Sequence, residues 1–206
     1  MSEYPPEPWY LGGSLLVSAF LVSPRELPKF PIPDGRRPLR LGGKVVVGTA
    51  FVKYVPGGVL EYNELLVALP SFPGPRVTIP QIWVDSPASR AGGRELWGIP
   101  KELHEFERSD SAAGAEVSMG SVASVRAMYG RRLLPGMRQL GLDTLQELDG
   151  RRILSRNRVI GRMHALRATW TFDPDGPLGY LAGRKPFFSA AIRDASIIFG
   201  MDVERP

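Results

Sequence analysis

Twenty prolines and 23 glycines fall mostly singly between short apolar runs, and this punctuation constrains the fold more than any other feature of the 206 residues. Proline removes a backbone donor and fixes φ, and glycine readily enters turn conformations that other residues avoid. A chain interrupted this often has many turns, which predicts mainly β structure. At this length one domain spanning residues 1–206 is expected, with enough chain to bury a sizeable core.

Read along the chain, residues 1–13 form an extended arm rich in proline, with Trp9 as its anchor. Strands are predicted over Ser14–Val22, Lys44–Val55, Leu60–Leu69, Val77–Val84, Leu103–Glu107, Ala115–Tyr129, Arg151–Phe172 and Phe187–Met201. Pro56-Gly57-Gly58 turns the second into the third as a hairpin. Short helices are predicted from Pro24 to Phe30, and from Pro87 to a stop near Gly92-Gly93, the latter capped by Asp85 or Ser86. Ser109–Gly114 reads as a polar loop, and Arg132–Leu148 fits neither period well. The fold class is mainly β (α+β): an antiparallel sheet bent into a barrel or cone, with a few short helices outside.

Composition narrows the chemistry. No cysteine is present, so disulfides, thiol nucleophiles and cysteine zinc sites are excluded. The net charge of +5 raises the question of nucleic acid, but the basic residues are scattered among acids and no nucleic-acid motif accompanies them. A basic surface that attracts anionic substrates accounts for the same balance. Met1–Pro8 does not resemble a targeting segment, and Leu15–Val22 is too short to span a bilayer, so a soluble, cytoplasmic protein is expected. His104 and His164 have no supporting acid pattern and make neither a metal site nor a triad. No metal and no cofactor is implied.

One stretch concentrates unusual residues: Gly93-Arg94-Glu95-Leu96-Trp97-Gly98-Ile99-Pro100-Lys101-Glu102-Leu103. Only five of the 26 basic residues are lysine (Lys29, Lys44, Lys53, Lys101 and Lys185), and Lys101 follows a Gly-Ile-Pro turn that would aim it reproducibly. Arginine keeps its proton, whereas a desolvated lysine can become a neutral, nucleophilic amine. The alternative is a solvated lysine at a strand edge. In the Leu60–Leu69 strand, side chains alternate with period 2, so Tyr62 and Glu64 look into one space, and for the same reason Glu102 points away from Lys101.

The segment GRELWGIPKEL resembles the signature of the acetoacetate decarboxylase family, in which a lysine after a proline forms a Schiff base with a β-keto acid; activated lysine of this kind is a recognised catalytic device. Tyr62-Asn63-Glu64-Leu65 resembles the segment carrying the family's active-site glutamate. The run from Gly176-Pro177-Leu178-Gly179 through Phe199-Gly200 is a looser match. The resemblance implies Lys101 as the amine and Glu64 as the group that orients substrate and moves protons. The chain departs from the family at Glu102, where a second lysine is expected, and at Ile99, where a tyrosine is expected. Thr49 stands near the place of a second glutamate, and Leu11-Gly12 near that of an arginine which binds the substrate carboxylate. Arg94 or Arg126 is then the candidate replacement for that arginine, and Tyr62 and Trp97 complete the candidate substrate-binding set.

The resulting expectation is an enzyme acting on a keto acid or related carbonyl compound through a Lys101 Schiff base, most simply a decarboxylase-like lyase. A cyclase or isomerase of secondary metabolism, using the same cavity without imine chemistry, is the rival that the departures favour. A non-catalytic ligand-binding barrel is the third reading. The expected partner is a small molecule, with no nucleic acid and no membrane, and the resemblance implies a homo-oligomer.

Overall fold

Among the described residues, alternating apolar residues between glycine and proline turns produce fourteen strands, all in one sheet. The computed structural model describes residues 3–205, with Leu148 described in its backbone alone. In chain order the strands are β1 (Trp9–Val22), β2 (Arg37–Pro38), β3 (Arg40–Leu41), β4 (Lys44–Val55), β5 (Tyr62–Phe72) and β6 (Arg76–Val84). Helix α1 (Pro87–Trp97), the single α-helix among the described residues, follows, then β7 (Lys101–Leu103), β8 (Glu107–Asp110), β9 (Gly114–Met119) and β10 (Ala123–Arg132). The chain continues through β11 (Arg138–Gly141), β12 (Thr144–Leu148), β13 (Arg151–Phe172), one 3-10 turn at Gly179–Leu181, and β14 (Phe188–Glu204).

The main path runs β12-β6-β5-β4-β1-β14-β13-β10-β9-β8. Because β12 also pairs with β13, the sheet curves back to meet itself there. The expected antiparallel sheet is in fact mixed. One edge of β6 is shared by two parallel partners, β12 at Thr144↔Val77 and β7 at Ile82↔Lys101. Between them the side-chain amide of buried Gln146 both accepts from the Ile79 N–H and donates to the Ile79 carbonyl, each at 2.9 Å, so a side chain fills the gap in the ladder.

The sheet is apolar on both faces. On β4, Val45, Val47 and Phe51 enter one core, which is covered by β9, β10, Leu178 and Leu181. Ala50, Val52 and Tyr54, on the alternate face, enter a second core with Trp9, Ile82, Trp97, Ile99 and Ile197. In the first core Trp170 stacks between Phe51 and Phe172, at centroid distances of 5.3 and 5.4 Å. No helix among the described residues is long and apolar enough to cross a membrane.

Several expected elements differ. The arm reaches only to Pro8, because Trp9–Gly13 already pairs with β14 as the start of β1. Trp9 is fully buried, as an anchor should be, and donates its indole N–H to the Pro5 carbonyl. Residues 24–27 form turns and no helix. Helix α1 runs through Gly92-Gly93 to Trp97 and stops at Gly98, whose φ of 64° is left-handed. The two interior glycines serve close packing: a Cβ on Gly92 would lie 2.5 Å from the Trp9 ring, and one on Gly93 would lie 2.6 Å from Lys101 Cδ. Leu103–Glu107 is not one strand, since β7 ends at Leu103. The expected long strand over Ala115–Tyr129 is the hairpin β9–β10, turned at Gly120. Part of the expected 109–114 loop lies in β8, and the ambiguous 132–148 stretch holds β11 and β12.

Candidate functional site

Lys101 reaches its position through a short series of local decisions. Ser86 caps α1 by accepting from the Ser89 N–H, and Pro87 occupies the first turn, where a missing donor costs nothing. At the other end the Gly98 and Ile99 N–H groups bond back to the Arg94 and Gly93 carbonyls, reversing the chain. Ile99 drops into the second core, Pro100 leads out, and Lys101 pairs with β6 as the first residue of β7. The Arg94 guanidinium donates to the Lys101 carbonyl at 3.1 Å and fixes the start of the strand. The lysine side chain then lies across the bare backbone of Gly93. Glu102, the next residue, is exposed on the other face, as alternation requires.

The Lys101 side chain is 5% exposed, and its ammonium has three acceptors: Glu64 Oε2 at 2.8 Å, Ser89 Oγ at 2.9 Å and Tyr62 OH at 3.4 Å. The ammonium also lies 5.1 Å from the centre of the Tyr62 ring. Glu64 is equally buried, and its second oxygen accepts from Tyr54 OH at 3.1 Å. Tyr54 and Tyr62 face each other across the β4–β5 pair with ring centres 4.3 Å apart. Glu64, Tyr62, Tyr54, Ser89 and Lys101 therefore form one buried hydrogen-bonded group, contributed by β5, β4, α1 and β7.

Burial pulls the Lys101 amine down, but the Glu64 charge and the hydrogen bonds to Glu64 and Tyr62 outweigh it, leaving the amine above the ordinary lysine value. Burial pushes the Tyr62 phenol up to about 12, against the pull of the Lys101 charge, and it pushes Tyr54 well up too, with Glu64 adding to the effect. Both phenols keep their protons at neutral pH. The carboxylate that acts on Lys101 is thus Glu64, across the sheet, while its chain neighbour Glu102 faces away.

This group forms the polar end of an otherwise apolar cavity of about 60 Å³. Trp97 lines it, edge-on to Trp9 at 4.7 Å, with its indole N–H turned away to Glu7. The structure thus brings Lys101, Glu64, Tyr62 and Trp97 together. Arg94 does not line the cavity, and Arg126 is 74% exposed on β10 and paired with Glu116. Leu11 is part of the cavity wall, and Thr49 is buried on the face of Val47 and Phe51, away from Lys101. Sequence reasoning missed Tyr54, Ser89 and Gly93. The hairpin register could have found Tyr54 opposite Tyr62, and the four-residue spacing of Ser89 and Gly93 marks one helix face. Among the described residues no group of three or more acids or histidines could hold a metal ion.

Comparison with solved structures places the fold beside an acetoacetate decarboxylase from Legionella pneumophila, with a TM-score of 0.75 at 17% identity, covering 100% of this chain and 90% of that one. An acetoacetate decarboxylase-like enzyme from Sphingomonas wittichii is similar at a TM-score of 0.70 and 15% identity, over 99% and 94% of the two chains. The enduracididine biosynthesis enzyme MppR is similar at 0.68 and 18%, over 98% and 89%. At such identities the likeness is one of fold. No curated protein matches the chain in sequence. The family model described as acetoacetate decarboxylase matches residues 1–148, most of the chain, beginning before β1 and ending with β12. The chain belongs to the acetoacetate decarboxylase family.

Proposed function

We propose that the protein is an enzyme that forms a Schiff base between Lys101 and a small carbonyl compound, with Glu64 as the proton carrier. The observation that carries this reading is the 2.8 Å contact between a buried lysine and a buried carboxylate at the end of an apolar cavity. Lys101 rests as an ammonium and must lose a proton before it can attack. Glu64 Oε2 is within direct reach to take that proton and return it to the oxygen that leaves. The step balances: the ammonium and a carbonyl give a protonated imine and water, the positive charge staying on nitrogen. Tyr62 and Ser89 orient the amine, and the apolar wall excludes water that would hydrolyse the imine. MppR, similar in fold, has been solved with pyruvate and with the condensation product of pyruvate and imidazole 4-carboxaldehyde, which supports carbonyl chemistry on this fold.

A second reading rests on the raised Lys101 amine. Kept charged by Glu64, the ammonium could serve a cyclase or isomerase as a hydrogen-bond donor to a substrate oxygen, without covalent attachment. Reductive trapping separates the two. Sodium cyanoborohydride with a panel of small aldehydes, ketones and keto acids should add a substrate-sized mass at Lys101, and Lys101→Arg should abolish it. Turnover of a substrate by Lys101→Ala at the full rate would rule out the covalent mechanism.

A further inference from the structure

The cavity holds one amine and one carboxylate, and they are already paired with each other. Among its described lining residues there is no second lysine, no arginine and no histidine. Tyr62, a neutral phenol, accepts from the Lys101 ammonium, and the remaining polar groups are committed elsewhere. Asn157 donates to the carbonyls of Leu142 and Ser155 and accepts from Ser155 Oγ and the Gly200 N–H. Trp97 donates to Glu7, and Tyr54 to Glu64. The rest of the wall is hydrocarbon and aromatic, including Leu11, Val52, Ile79, Ile99 and Phe199. The two arginines that could have served an acid are occupied, Arg94 by the Lys101 carbonyl and Arg126 by Glu116 on the exposed face of β10.

We infer that the substrate is an uncharged aldehyde or ketone and not a keto acid, an inference that rests on the Schiff-base reading above. With a neutral substrate the buried charges balance at every stage: ammonium with carboxylate, then protonated imine with carboxylate, then neutral enamine with carboxylic acid. A keto acid would add one uncompensated negative charge beside Glu64 throughout binding. The cost of desolvating an unpaired anion outweighs what the small apolar wall returns, whereas a neutral carbonyl loses little hydration and gains the wall contacts.

The inference also selects the chemistry that follows. Without a carboxylate to release CO2, the bond weakened beside the protonated imine is the neighbouring C–H. Its proton passes to Glu64, its electron pair forms the C=C bond of the enamine, and the nitrogen becomes neutral. Reversal returns a proton from Glu64, so the substrate exchanges that hydrogen with solvent. The reaction class is proton transfer next to a carbonyl, with the enamine carbon open to a second carbonyl compound.

The test compares 4-methylpentan-2-one with acetoacetate, which has a carboxylate where the ketone has an isopropyl group of similar shape. The full chain is mixed with each in D2O, and deuterium incorporation, acetone formation and the cyanoborohydride adduct at Lys101 are measured. The ketone should give half-maximal trapping at a concentration at least ~100-fold below that for acetoacetate. It should also take up deuterium in a manner abolished by Lys101→Arg. A buried, unpaired carboxylate would lose CO2 readily once bound, so kcat/KM is compared as well as trapping. Acetoacetate trapped at equal or lower concentration, or turned over with the higher kcat/KM, would overturn the inference and leave the Schiff-base reading standing. Trapping of neither compound at Lys101 would overturn that reading, and this inference with it.

Discussion

Replacing Glu64 by glutamine removes the counter-ion of Lys101 while keeping the shape of the site. The amide oxygen can still accept from Tyr54, but an NH2 group then faces the ammonium, donor against donor, where a carboxylate oxygen stood at 2.8 Å. Both side chains are about 95% buried, so water cannot restore the missing charge. Breaking one partner of a buried pair typically costs about 3–5 kcal/mol. An independent ceiling comes from the escape route open to the protein, which is to fold with Lys101 neutral. An unfolded lysine titrates near 10.5, so at pH 7 deprotonation spans three and a half pH steps at about 1.4 kcal/mol each, or ~5 kcal/mol. At pH 9 the same route costs only ~2 kcal/mol. Without Glu64 the folded Lys101 falls below its unfolded value, so the defect is largest at low pH and fades as the pH approaches 10.5. In the unaltered protein the sign is opposite. The raised Lys101 contributes stability that is fully present below 10.5 and is lost only as the pH rises through its folded value. Urea denaturation of both proteins at pH 7, 8 and 9 measures the difference. A deficit below ~1 kcal/mol at pH 7, or one that stays constant to pH 9, would refute this account of a paired, desolvated ammonium.

Two further substitutions separate positioning from stability. In Gly93→Ala the new Cβ would sit 2.6 Å from Lys101 Cδ and 2.8 Å from Cε, so the lysine must shift from Glu64 and Ser89, while α1 gains up to ~1 kcal/mol in helix propensity. Thermal melting should change by a few degrees at most, and the trapping rate at Lys101 should fall about 10–100-fold; an unchanged rate would show that this packing does not hold the amine. Ser89→Ala leaves a buried ammonium N–H without its 2.9 Å acceptor and should cost about 1.5–3 kcal/mol by urea denaturation, whereas no loss would mean that another group takes the bond.

What could be read from the sequence here was local. Period-2 alternation identified most of the longer strands, and the Lys44–Val55 and Leu60–Leu69 hairpin placed Tyr62 and Glu64 on one face. The same rule turned Glu102 away from Lys101, because adjacent strand residues point to opposite sides wherever the strand lies. Local rules also misled. Gly92-Gly93 reads as the end of a helix, and glycine does commonly end helices, but here the pair lies inside α1 because Trp9 and Lys101 press against it. The parallel partners of β6 come from segments about 20 and 70 residues further on, and nothing in β6 itself names them. The protonation of Lys101 was decided at the same range. Its own neighbourhood, Gly98-Ile99-Pro100 and Glu102, does not determine the charge state. That depends on the balance between burial and a carboxylate 37 residues earlier in the chain, brought to 2.8 Å by the pairing of β5, β6 and β7. Electrostatic energy depends on distance in space, and only the tertiary structure sets that distance.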